Sequence, residues 1–138
     1  MYIVTTPVIN VVPINTVILN EYEQALLIQM LGSDSLTLLY RASRDGFKSS
    51  NFHANVDNIP NTVVIIKQKN KDSVFGGVTS VAWDSSSGYK SDTNAYLFSI
   101  RRVGSNTNGI NQIMVRDSSK AMYCRKIYWQ KIKFDSIK

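Results

Sequence analysis

The sequence predicts a β-rich α+β domain, for three reasons. Five or six segments have the β-branched and aromatic composition of strands, only two short segments have helical spacing, and turn-forming residues separate them. A chain of 138 residues, 43% of them hydrophobic, can bury one core but not comfortably two. The sequence shows no internal repeat, heptad pattern or low-complexity tract. We therefore expect a single domain.

Residues 1–19 are predicted to form an extended lead-in to this domain. They are apolar and uncharged, but they lack the basic n-region and the cleavage site of a secretory signal, and Pro7 and Pro13 interrupt them. No segment reaches the roughly 18 uncharged apolar residues that a membrane helix requires, so we expect no membrane span. A single cysteine allows no intrachain disulfide, which favours the cytosol or nucleus.

Two segments are predicted to be helices. Asn20 and Glu23 have the spacing of a capping box, and apolar side chains then recur on one helical face over 21–31. A shorter helix, capped by one of the serines at 49–50, is expected to end at Val56, where turn residues follow.

Five segments are predicted to be strands, because each is rich in β-branched and aromatic residues and is bounded by turn residues. Gly76–Gly77 lies inside the third of them. A glycine pair in a strand indicates a bulge or a close backbone approach rather than flexibility. In chain order the predicted strands cover 36–40, 62–69, 73–83, 95–102 and 109–115.

The net charge of +6 is distributed unevenly along the chain. Residues 1–69 carry five basic and five acidic side chains, whereas residues 70–138 carry eleven basic and five acidic ones. The excess is concentrated near the C-terminus, with seven basic against two acidic side chains over 116–138. The overall charge therefore gives little support to electrostatic steering by the body of the domain.

Several separated blocks of the sequence resemble the TLDc domain family, which is found in oxidation-resistance proteins. LTLLYRASRDGFKSSNFH (36–53) and NTVVIIKQKNKDSVFGGVTSVAWDSSSGYKSDTNAYLFSI (61–100) follow the order and spacing of that family's pattern. The resemblance covers about residues 20–124. The residues that carry it, most of them expected to be structural, are Tyr40, Arg41, Ser43, Asp45, Gly46, Phe47, Phe52, His53, Phe75, Gly76, Gly77, Trp83 and Phe98.

The resemblance implies a fold in which two antiparallel sheets pack as a sandwich, with short helices alongside. It also implies a non-enzymatic domain without a cofactor that takes part in protection from oxidative damage in the cytoplasm. Domains of this family bind subunits of the vacuolar-type proton ATPase. The resemblance therefore implies a protein partner, for which a subunit of this pump is the candidate.

The C-terminal segment 125–138, RKIYWQKIKFDSIK, departs from the family's pattern. TLDc domains normally continue here with a Gly-Pro-Thr-Phe-Gly-Gly-like segment, a His-Asp pair and further strands. We expect a TLDc-like domain over 20–124 that is incomplete at its C-terminal end, followed by a divergent basic tail, unless the tail replaces the missing strands. Losing strands would cost on the order of 10 kcal/mol, comparable with the whole stability of a domain.

His53 is the only histidine and raises the alternative of a hydrolase. Several serines and the carboxylates of Asp45 and Asp57 lie near it in sequence, so a nucleophile, base and orienting acid are all at hand. However, the sequence contains no Gly-x-Ser-x-Gly elbow, and triads are seldom assembled from neighbours in sequence. We expect a buried, hydrogen-bonded histidine.

The residues around His53 are interpreted as structural. Arg41 and Arg44 are expected to pair with nearby carboxylates rather than to present a cationic face to a partner. The dipeptide 45–46 is expected to turn the chain into the short helix, with Phe47 and Phe52 as anchors in the core.

Cys124 is a possible redox-sensitive thiol, since Arg125 and Lys126 would lower its pKa if the sulfur were exposed. A buried, inert cysteine is the alternative. No metal site is expected, because one histidine and one cysteine cannot form a usual zinc site and the segment 84–92 lacks the ligand pattern of a calcium loop.

The basic tail suggests one further function. Basic residues alternate there with Tyr128, Trp129 and Phe134, a composition that could bind nucleic acid or an anionic membrane surface. No nucleic-acid-binding module is visible, so we do not expect nucleic acid to be the partner.

Overall fold

The computed structural model describes residues 16–33, 36–69, 71–102, 104, 109–124 and 132–137, and of residues 123–124 and 132–137 it describes the backbone. The helices are α1 (Glu21–Leu31), α2 (Ala42–Asp45) and α3 (Ser49–Val56). The strands are β1 (Leu38–Arg41), β2 (Thr62–Gln68), β3 (Val74–Thr79), β4 (Gly88–Lys90), β5 (Tyr96–Arg101), β6 (Asn111–Met114), β7 (Met122–Cys124) and β8 (Ile132–Ile137). No described helix is long and apolar enough to cross a bilayer.

Six of the strands form one antiparallel sheet in the order β1-β8-β2-β3-β5-β6. The other two, β4 and β7, pair with each other as a separate antiparallel ribbon. The α+β prediction is confirmed. A sandwich of two sheets is not confirmed, since the described residues form this one large sheet with helices against it and a two-stranded ribbon.

The helices cover different parts of the large sheet. Leu27 and Ile28 of α1 pack in a buried cluster with Val63, Ile65 and other side chains from one face of the sheet. A second buried cluster lies on the opposite face and contains side chains from α3 and from the end of β1. The core is therefore split into two layers by the sheet.

Local sequence signals place α1 where it was predicted. The Asn20 side chain accepts a hydrogen bond from the Glu23 N–H at 2.9 Å, and the Glu23 carboxylate accepts one from the Asn20 N–H at 3.0 Å, which completes the capping box. The same carboxylate forms a bidentate ion pair with Arg101 of β5, at 2.7 and 2.8 Å. Gly32 ends the helix in the left-handed conformation, with φ 62°. The cap thus also ties α1 to the sheet.

The N-terminal cap of α3 differs from the predicted one. The helix covers Ser49–Val56, but its N-cap is Lys48, and no side-chain hydrogen bond caps it. Neither serine therefore serves as the expected N-cap. At the other end the chain turns through Asn58 and Asn61, both with positive φ, into β2.

Part of the C-terminal segment belongs to the main sheet. The strand β8, Ile132–Ile137, lies between β1 and β2 and pairs antiparallel with both. It pairs with six consecutive residues of β2, from Val63 opposite Ile137 to Gln68 opposite Ile132. These residues therefore supply a central strand rather than a tail outside the sheet.

Candidate functional site

The segment 39–53 encloses an aromatic cluster. The rings of Tyr40 and Phe52 meet edge to face at 5.5 Å between centroids, and Phe52 meets Trp83 in the same way at 5.1 Å. The Tyr40 hydroxyl donates to the carbonyl of Gly46 at 2.5 Å, and the Trp83 indole donates to the Thr62 hydroxyl at 3.0 Å. Burial, with the nearby charge of Asp45 as a smaller cause, raises the pKa of Tyr40 to about 12. Each buried polar tip thus has a partner.

The turn at 45–46 orders the segment. Asp45 accepts hydrogen bonds from the Arg44 guanidinium at 2.7 and 2.8 Å and from the Arg41 N–H at 2.8 Å. The hydrogen bond from Arg44 lowers the pKa of Asp45 below its usual value. Gly46 has φ 98°, and a Cβ there would lie 2.2 Å from the Asn51 side chain, so the turn requires glycine.

Phe47 is not a core anchor, contrary to the prediction. It is 41% exposed, whereas Phe52 is 4% exposed. Phe47 lies in the turn between α2 and α3, directly after Gly46, and it is not a member of the cluster that contains Phe52. Of these two phenylalanines, only Phe52 is buried in the core.

His53 lies at the edge of the aromatic cluster and binds a carboxylate. Its Nδ1 is 2.7 Å from Oδ1 of Asp57, one helical turn later, and its side chain is 10% exposed. The hydroxyl of Ser85 donates to Oδ2 of the same carboxylate at 2.6 Å. Asp57 therefore joins α3 to the loop that precedes β4.

This arrangement brings together a histidine, a carboxylate and a serine in the wrong order for nucleophilic catalysis. In a triad the imidazole lies between the other two groups and takes the proton of the hydroxyl. Here the carboxylate of Asp57 lies in the middle, and Ser85 bonds to it rather than to His53. A carboxylate that accepts both hydrogen bonds orients the two side chains, but it does not activate the serine. The geometry is that of a structural link.

The glycine pair in β3 has two different environments. A Cβ on Gly76 would lie 2.0 Å from the Val64 carbonyl oxygen and 2.6 Å from the Phe98 ring, so that ring packs directly on the backbone. A Cβ on Gly77 would have its nearest neighbour at 3.2 Å, the flexible end of Leu97. Close packing therefore requires glycine at Gly76.

Asp92 is a buried carboxylate that accepts four hydrogen bonds. It accepts from the Thr79 and Ser80 hydroxyls and from the Ser80 N–H, each at 2.7 Å, and from the Asn94 N–H at 2.9 Å. Burial alone would raise its pKa, but the hydrogen bonds from Ser80 and Thr79 outweigh burial and hold the pKa at about 2. This cluster fixes the end of β3 to the turn before β5.

A set of apolar residues, here called the open sheet face, lies on the side of the sheet away from α1. It consists of Phe75 and Gly77 in β3, Leu97 in β5 and Ile113 in β6, aligned because Gly77 pairs with Leu97 and Leu97 pairs with Ile113. The side chains of Phe75, Leu97 and Ile113 are 41%, 55% and 63% exposed. They contribute to the wall of a cavity of about 490 Å³ that Trp83 and Met122 also line.

A second cavity of about 780 Å³ lies near the end of α1 and is lined by hydroxyl, amide and apolar side chains, with Tyr96 at its wall. Among the described residues, neither His53 nor any carboxylate or lysine lines either cavity. Within the described ranges, no three His, Cys, Asp or Glu side chains lie together as metal ligands. In the segment 84–92, Asp84 instead binds Lys90 and Ser86.

Two predictions fall on side chains outside the described part of the chain. Cys124 ends β7, but its side chain is not described, so its possible redox role stays a prediction. Of the aromatic residues in the basic tail, Tyr128 and Trp129 lie outside the described residues, and Phe134 is described only as backbone of β8.

The family model of the TLDc domain matches residues 13–129. The chain belongs to the TLDc domain family. The matched range starts before residue 20 and ends after residue 124, so it is wider at both ends than the resemblance indicated. A comparison with curated proteins finds no match.

Three features of this TLDc domain were not anticipated from the sequence. They are the Asp92 cluster, the hydrogen bond from Ser85 to Asp57, and the open sheet face. The pattern Asp-x-Asn at 92–94 is a turn signal that could have indicated the first. The other two depend on pairings between distant segments, for which the sequence has no local signal.

Proposed function

We propose that this TLDc domain is a non-enzymatic protein-interaction domain. The open sheet face carries the proposal, since Phe75, Leu97 and Ile113 present contiguous apolar side chains beside a cavity. Contiguous exposed apolar surface is typical of sites where another molecule binds. The geometry of His53, Asp57 and Ser85, in which the carboxylate is central, supports a structural role for the segment 39–53.

The proposed partner is a subunit of the vacuolar-type proton ATPase, and the proposed setting is protection from oxidative damage in the cytoplasm. Membership of the TLDc domain family supports both parts. The described residues that line the cavity at the open sheet face are uncharged, so we expect the partner to contribute apolar side chains there.

The second layer of the sandwich is proposed to begin with the β4–β7 ribbon. Met122 of β7 is 6% exposed and lines the same cavity as the open sheet face. The position of Met122 beside that face supports a second sheet that starts from the ribbon.

The test is a binding measurement with purified soluble subunits of the vacuolar-type ATPase, by titration calorimetry. We expect wild type to bind one of them and Leu97→Asp, which puts a charge in the open sheet face, to bind at least about tenfold more weakly. Val17→Asp is the matched control, since Val17 is 63% exposed and lies outside that face. No binding by wild type would refute the partner, and unchanged binding by Leu97→Asp would refute the surface.

The hydrolase is the second candidate, because the contact between His53 and Asp57 resembles the one by which a carboxylate orients a catalytic imidazole. A chromogenic ester would test it. Turnover by wild type that disappears in His53→Ala, while the folded state retains its stability, would favour the enzyme over the interaction domain.

A further inference from the structure

The two edge strands of the main sheet are protected to different degrees against pairing with a further strand. At one edge, β1 has an irregular register between Leu38 and Tyr40, ends in the charged Arg41 and lies beside α2 and α3. At the other edge, β6 pairs with β5 alone among the described residues, and all four of its residues are exposed. Bulges, charges, covering elements and a short length are the usual means of preventing an edge strand from pairing further. As far as the described residues show, β6 has only the short length.

The composition of β6 favours pairing. The segment GINQIMV, 109–115, contains neither a charged residue nor a proline. Ile113 and Met114 are 63% and 64% exposed, among the most exposed large apolar residues of the described chain. An edge of this kind presents unpaired main-chain groups together with apolar side chains.

We propose that β6 pairs antiparallel with β6 of a second copy of this chain. A symmetric antiparallel pair places each strand against its own sequence, so a charged residue on or next to the axis would lie close to its own copy, which carries a like charge. The absence of charge over 109–115 removes that penalty. An uncharged edge is thus compatible with a copy of itself.

The twofold axis is placed at Ile113. This register sets Ile113 opposite its counterpart, and Gln112 opposite Met114 of the second copy, so side chains on the same face meet across the pair. Ile113 belongs to the open sheet face, whereas Met114 lies on the other face, opposite Tyr96. Both exposed apolar side chains of β6 therefore gain cross-strand neighbours. Four residues make few main-chain hydrogen bonds, so the dimer should be reversible and concentration-dependent.

Sedimentation velocity of the full chain over a wide concentration range tests this proposal, with no other protein present, so its outcome is separate from that of the partner binding. Ile113→Lys should weaken self-association at least about tenfold. Val17→Lys is the matched control, because Val17 has the same 63% exposure, and it should associate like wild type. A wild type that stays monomeric at every concentration, or two variants that associate equally, would overturn the proposal.

A disulfide cross-link tests the register independently of the stability of the lysine variant. Opposite residues of an antiparallel pair have Cα atoms roughly 4.5–5.5 Å apart, within the range that a disulfide spans. Ile113→Cys combined with Cys124→Ser should form a covalent dimer on mild oxidation. Val17→Cys in the same background should not. Failure of the position 113 variant to cross-link would contradict the pairing.

Discussion

At the scale of single residues, hydrogen bonding rather than charge pairing explains the buried carboxylate of Asp92. The side chain is 4% exposed, and its acceptor oxygens meet donors from Thr79, Ser80 and Asn94. Buried polar groups are tolerated when they are satisfied in this way. The cluster therefore contributes to stability only while the carboxylate is ionised.

Stability should fall in acid because of this residue. The pKa of Asp92 in the folded protein is about 2, below its ordinary value of 3.8, so its contribution is present above pH 3.8 and is lost as the pH falls towards 2. The shift corresponds to about 2 kcal/mol. Asp92→Asn should lower the free energy of unfolding at pH 7 by about 2 kcal/mol and flatten its pH dependence in this range. Urea unfolding at several pH values measures both effects.

Asp117→Asn is the control for this experiment, because Asp117 caps the exposed 3₁₀ turn Ser118–Lys120. The Asp117→Asn substitution should lower the free energy of unfolding by less than about 1 kcal/mol. An Asp92→Asn variant as stable as wild type at pH 7, with the same acid dependence, would show that the cluster is not a stabilising feature.

Residue chemistry alone did not determine which aromatic residues are buried. Phe47 and Phe52 are alike in sequence, and both were predicted to be anchors. Phe47 lies in the turn directly after Gly46, whose φ is 98°, whereas Phe52 lies on the buried side of α3. The position of a side chain relative to a turn depends on tertiary packing, which composition does not encode.

At the scale of elements, the most local signals gave the most accurate predictions. The capping box at Asn20 and Glu23 and the apolar face that follows placed α1 at its observed bounds, 21–31. The strands β2, β3, β5 and β6 lie within the segments predicted for them. In contrast, β4, β7 and β8 depend on pairing between distant segments, so their sequences alone did not indicate them.

The two glycines of β3 offer a matched comparison within one strand. Gly76→Ala should lower the free energy of unfolding by about 2–3 kcal/mol, because its Cβ would overlap the Val64 carbonyl and the Phe98 ring. Gly77→Ala should change stability by less than about 1 kcal/mol, since only the flexible end of Leu97 is near. Denaturant unfolding of both variants measures the difference. Equal effects would contradict the close packing at Gly76.

At the scale of the whole molecule, the position of β8 changes the interpretation of the C-terminal segment. The sequence left open whether this segment replaces strands of the family pattern or forms a tail. β8 lies between β1 and β2, and its removal would separate an edge strand from the rest of the sheet. The departure from the family pattern thus does not exclude residues 132–137 from the fold.

Removing 132–138 should abolish cooperative thermal unfolding, because β1 and β2 would each lose a paired strand. Ser136→Pro tests the same point with one substitution, since Ser136 pairs with both Tyr40 and Val64 and proline cannot donate to a sheet ladder. Circular dichroism on heating is the measurement. A sharp transition in the shortened chain at the wild-type temperature would show that β8 is dispensable.

The structural role of the segment 39–53 depends on the contact between His53 and Asp57. A double-mutant cycle on the free energy of unfolding, with His53→Ala, Asp57→Ala and the double variant, tests this role most directly. We expect each single variant to be less stable than wild type and the two residues to be coupled by about 1 kcal/mol or more. Single variants as stable as wild type, with no coupling, would contradict it.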